Sequence, residues 1–140
     1  MNKILVLLLL MVSTNVFAGE TITTQEVDSY MYQDGEVGER SKGQYEVTYY
    51  IEGNTVTRTR VYDSFHKDVI PDNTIYQIQR QLSSDPIIEN SHIPEPYRTI
   101  RAIGQPGKDS VEILMINDKY VQSVRSTGNY FIITSSKRIN

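Results

Sequence analysis

Few side chains in this 140-residue sequence are equipped for chemistry: two histidines, fourteen Lys or Arg, seventeen Asp or Glu, ten tyrosines and no cysteine. Without a thiol there is no thiol catalysis, no redox exchange and no thiolate zinc site. His66 has Asp63 and Asp68 close by in sequence. No His-x-His or Glu-x-x-His spacing places two ligands on one face, so His66 reads as an exposed loop residue and not as a metal ligand. His92 follows Ser91 in Asn90-Ser91-His92-Ile93-Pro94. That pair lacks the orienting third group and the oxyanion donors of a nucleophile site. Asp34, Glu36 and Glu39 share their segment with Arg40 and Lys42 and lack the ligand spacing of a calcium loop. Gly104-Gln105-Pro106-Gly107 falls between two strand patterns and reads as a hairpin turn, since a phosphate loop would open a helix. The expectation is a chain that is not an enzyme and holds no cofactor or metal.

Tyrosine and arginine are the residues left with something to do. Both are enriched where proteins bind proteins. Residues 45–62 collect Tyr45, Tyr49, Tyr50, Tyr62, Arg58 and Arg60 in a chain that is otherwise net acidic. The candidate partner-binding residues are Tyr49, Tyr50, Arg58 and Arg60. Neighbouring strand residues point to opposite faces, so Tyr49 and Tyr50 put one ring outside the principal core.

These side chains need a sheet to carry them. From residue 19 onward there is one alanine, Ala102, and two leucines, Leu82 and Leu114, against nine Val, fifteen Ile and eleven Thr. Side chains stiff at χ1 suit pleated strands better than helices. Residues 21–32 read as strand. Residues 33–43, with three glycines, read as a mobile loop. Gln44–Ile51 alternates cleanly and predicts a half-buried strand, Glu52-Gly53-Asn54 a turn, and Thr55–Asp63 the returning strand. A three-residue loop with Asn54 left-handed pairs Tyr49 with Thr57, Tyr45 with Val61 and Glu46 with Arg60. A two-residue Gly53-Asn54 loop pairs Tyr49 with Arg58 and Val47 with Arg60. The first gives the better cross-strand chemistry and is the expected register; the second would make Tyr49 and Arg58 a binding surface.

Ile75, Ile78 and Leu82 recur at helical spacing behind Asp72, Asn73 and Thr74, which predicts one short helix near 73–83. Residues 83–96 carry Pro86, Pro94 and Pro96 and read as an extended connector. Tyr97–Ile103, Ser110–Ile116, Lys119–Arg125 and Tyr130–Thr134, parted by strong turn chemistry, read as a four-stranded antiparallel meander. Val111–Ile116, apolar on both faces except Glu112, is the candidate central strand. The fold expected is mainly β: a single antiparallel sheet domain of about seven strands, as a small barrel or an α+β sandwich, with one short helix.

Met1–Ala18 has a lysine near its start, an apolar run from Ile4 to Val12 and a small-residue ending at Ala18, the signature of a cleaved signal peptide. Residues 19–140 are then a single β-rich domain with no membrane anchor, sent to the periplasm or the extracellular space. Losing Lys3 takes the formal charge from −3 to −4. With no basic block, nucleic acid is not an expected partner. The expected function is an exported, non-enzymatic binding protein of the cell envelope with a protein partner, for example an inhibitor or immunity protein that caps a toxin or wall hydrolase. The alternatives are an accessory subunit of a surface or secretion assembly and a small hydrolase. The composition also admits a homo-oligomer.

Overall fold

The computed structural model describes residues 19–84 and 97–140. Its ten strands are β1 (Glu20–Gln33), β2 (Glu36–Ser41), β3 (Tyr45–Glu52), β4 (Thr55–Asp63), β5 (Asp68–Ile70), β6 (Ile75–Ser84), β7 (Tyr97–Gly107), β8 (Ser110–Ile116), β9 (Tyr120–Thr127) and β10 (Tyr130–Arg138). All pairings are antiparallel. The path β10-β9-β8-β7-β6-β4-β3-β1 closes through a β1–β10 ladder, giving an eight-stranded up-and-down barrel, with β2 and β5 as accessory strands. Eight strands enclose an interior that side chains can just fill, or that can hold one small ligand.

One end of the barrel is filled. Ile22, Ile51, Val56, Tyr76, Ile100, Ala102, Leu114, Ile116 and Val121 are each no more than 2% exposed and form one cluster with Tyr49. Gly104 makes room there. It lies opposite Tyr76 in register, and a Cβ on it would come within 2.6 Å of the Tyr76 ring and 2.9 Å of the Ile75 carbonyl oxygen.

The other end is parted at two seams. Only the first half of β1 pairs with β3; its second half, Ser29–Gln33, pairs with β2. Likewise β4 pairs with β6 only over Thr55–Thr57, and its far end, Val61–Asp63, pairs with the short β5.

Several expectations are corrected. Residues 33–43 contain β2, joined to β1 by a two-residue turn in which Asp34 and Gly35 have φ of 52° and 81°. That Asp-Gly pair is a strong hairpin signal. The predicted helix at 73–83 is strand β6, and no residue described is helical. Tyr76 and Ile78 face the core while Ile75 is 57% exposed, and Gln79 is an extra residue that bulges the strand. A helix here would leave the facing edges of β4 and β7 without backbone partners, and closing the ladder outweighs the weak helical periodicity. The proline connector and His92 fall largely outside the described residues.

The β3–β4 register also differs. Gly53 takes the positive φ (56°) and Asn54 does not, so the loop has two residues and Tyr49 pairs with Arg58. Thr59 is then an extra residue, and beyond it Thr48 pairs with Arg60 and Val47 with Val61. The bulge reverses the alternation. Val56 and Arg58 point inward before it, and Val61 and Asp63 lie on the interior side after it, so no face has to slip. Arg60 still reaches Glu46 at 2.7 Å, diagonally across the sheet. In a closed barrel no strand is central. β8 buries Glu112, Leu114 and Ile116 and turns Val111, Ile113 and Met115 outward.

Candidate functional site

Above the apolar end, the parted end of the barrel holds a cavity of about 270 Å³. Its wall is part apolar, from Val47, Val61, Val121 and Ile132, and part charged. Ligand sites combine these two features, at about 300–1,000 Å³.

The charged wall centres on Glu112, 3% exposed. Its Oε2 accepts three hydrogen bonds: from Arg58 Nη1 at 3.0 Å, from the Tyr76 hydroxyl at 2.8 Å and from Arg125 Nη2 at 3.1 Å. Arg58 also donates from Nε to Asp72 Oδ2 at 2.9 Å, with Nη2 at 2.6 Å from the same oxygen. Asp72 is held in turn by the Thr74 N–H at 2.8 Å. The cluster joins β4, β8, β9 and the residues leading into β6. Buried charges persist only when paired and bonded in this way.

Electrostatics follow from that geometry. Burial alone would raise the pKa of Glu112, but the Arg58 and Arg125 charges and the Tyr76 hydroxyl hold it below the usual carboxylate range. Asp72 is likewise held low against its own burial, by Arg58 and by the Thr74 bonds. Burial, reinforced by the negative charge of Glu112, pushes the Tyr49 and Tyr76 phenols far above their ordinary range although Arg58 pulls the other way. Both phenols therefore stay protonated at neutral pH. Arg125, which also lines the cavity, is more open, with 32% of its side chain exposed.

The candidate residues from the sequence separate into two groups. Tyr49 and Arg58 line the cavity at 5% exposure each. Tyr50 and Arg60 are outside: Tyr50 covers Gly19, and Arg60 pairs with Glu46 and lies 4.9 Å over the Tyr62 ring. Exposed pairs of this kind contribute under about 1 kcal/mol. His66 is exposed, with Nδ1 2.7 Å from Asp63 Oδ2. Among the described residues no three His, Asp or Glu converge as a metal would require.

Sequence reasoning did not find Glu26, Asp72, Glu112 and Arg125. One signal was present, since Glu112 is the single charged residue in an otherwise apolar strand. A second feature also went unseen. Ile103, Ile113, Val124, Ile133 and Tyr30 pair in series across β7, β8, β9, β10 and β1 and form an apolar row on the outside of the barrel. Beside it, Tyr32 stacks on Phe131 at 4.9 Å. Compared with family models, curated proteins and solved structures, the chain has no match.

Proposed function

We propose that this chain is an exported, non-enzymatic binding protein of the cell envelope that takes a small ligand into the open end of its barrel. The observation that carries this reading is the cavity itself, lined by apolar and charged side chains together, at the end where the sheet parts. The leader-like Met1–Ala18 supports export. A protein partner held by Tyr49, Tyr50, Arg58 and Arg60 together is less well supported, because two of the four face the interior.

Native mass spectrometry of the protein purified from its own host tests the proposal. A retained small molecule is expected, and Val61→Trp, which fills the cavity from β4, should lose it with the circular dichroism unchanged. An unliganded mass for the unaltered protein, or equal retention by Val61→Trp, overturns it.

The outward apolar row favours a second reading, self-association. Its five side chains are half-buried; contiguous apolar surface that stays open to solvent marks interfaces, and a row without charges can meet its own copy across a twofold axis without like-charge repulsion. Sedimentation velocity should then show a dimer that Val124→Lys dissociates. A monomer at all concentrations refutes it.

A further inference from the structure

Six charged side chains line the cavity: Arg40, Arg58, Arg125, Glu26, Asp72 and Glu112. Four of them close on one another. Arg58 bonds Asp72 and Glu112, and Arg125 bonds Glu112, so this set is neutral and internally satisfied.

Glu26 stands apart on β1, 4% exposed. Its two hydrogen bonds come from uncharged donors: the Ser41 hydroxyl at 3.0 Å to Oε2 and the Gln44 backbone N–H at 3.3 Å to Oε1. No cation among the described residues pairs with it. Arg40 is the extra residue of a bulge between β2 and β1; it is exposed and makes no ion pair among the described residues. A buried carboxylate without a countercharge is costly. When it lines a cavity, an incoming ligand can neutralise it.

We propose that the ligand is an organic ammonium compound, its charged nitrogen bound by Glu26 and its apolar body lying against Val47, Val61 and Ile132. An ammonium carries three donors. Ser136 lies directly opposite Glu26 in register, is 6% exposed and lines the same cavity, so its hydroxyl supplies a second acceptor. The rings of Tyr45 and Tyr49, also in the wall, suit a cation further. A metal ion does not fit, since Glu26 belongs to no cluster of three potential ligands among the described residues. This inference rests on the cavity being the ligand site.

Calorimetric titration with benzylammonium, benzyl alcohol and benzoate at neutral pH separates the two. The ammonium should bind at least about tenfold more tightly than the alcohol, in keeping with a charged hydrogen bond, and benzoate should bind most weakly. Glu26→Gln should remove that preference, leaving ammonium and alcohol within about twofold of each other, a difference too small for a charged bond. The ranking in the unaltered protein stands whether or not the variant folds. If the alcohol or benzoate binds as tightly as the ammonium, or the preference survives Glu26→Gln, the ammonium assignment falls while the cavity reading holds. If none of the three binds, both fall.

Discussion

Arg58→Met keeps an apolar stem of similar reach while removing the cation that Asp72 and Glu112 share. Four polar contacts vanish: Nε to Asp72 at 2.9 Å, Nη2 to Asp72 at 2.6 Å, Nη2 to Thr74 Oγ1 at 3.4 Å and Nη1 to Glu112 at 3.0 Å. Breaking a buried ion pair from one side costs about 3–5 kcal/mol. Two features place this case at the lower end. Glu112 keeps Arg125 and the Tyr76 hydroxyl, and the Asp72 side chain is 18% exposed and can recover water. We expect a loss of about 3 kcal/mol, or about 12 °C in Tm for a domain of this size. The pH dependence follows from the sign of the shifts. Glu112 and Asp72 are held below their ordinary values of 4.5 and 3.8, so their contribution is present above those values and is lost as the pH falls through the folded-state values. The gap between the two proteins should be full at neutral pH and narrower in acid. Urea denaturation at pH 7 and at about pH 3.5 measures it. A loss below about 1 kcal/mol at pH 7, or a gap of unchanged size in acid, refutes the view of a buried, mutually dependent cluster.

Gly104→Ala should destabilise by about 1–3 kcal/mol, because the new methyl meets the Tyr76 ring and the Ile75 carbonyl oxygen; a urea midpoint equal to that of the unaltered protein would show that the barrel gives way there. For His66, the Asp63 carboxylate bonds the ring and raises the imidazole pKa above its ordinary 6.5. Burial opposes the Asp63 charge, yet bonds from the His66 ring, the backbone N–H groups of His66 and Phe65 and the Gln44 amide hold its carboxyl far below 3.8. The pair's contribution is therefore full between about pH 4 and 6.5. It fades in acid through the folded-state Asp63 value, and in base through the raised His66 value. An imidazole titrating at or below 6.5 by NMR, or a His66→Ala stability loss that persists at pH 9, contradicts this.

Much of the class and local geometry was legible in the residues. The scarcity of alanine and leucine beside abundant Val, Ile and Thr dictated strands, and the alternation of Gln44–Ile51 assigned its two faces, with Tyr49 and Ile51 buried. The turns between 97 and 138 fixed a meander, since Gly and Asn at tight turns leave the chain few other paths. What the residues left open was decided by closure. A segment of mixed periodicity, 75–84, became β6 because β7 supplies backbone partners from Tyr76 to Ser84, apart from the bulge at Gln79, and β4 supplies them at Ile75–Gln77. The β3–β4 register depended on a single extra residue, Thr59, whose bulge lets Arg58 and Val61 share the interior. No local pattern specifies such a residue, because it serves the curvature of the whole sheet. The cavity is also a tertiary product. Arg58 and Glu112 are 54 positions apart, and Glu26 is on a third part of the wall. Sequence shows that each is charged, but only the closed barrel decides which charges are buried together and which one has no countercharge among the described residues.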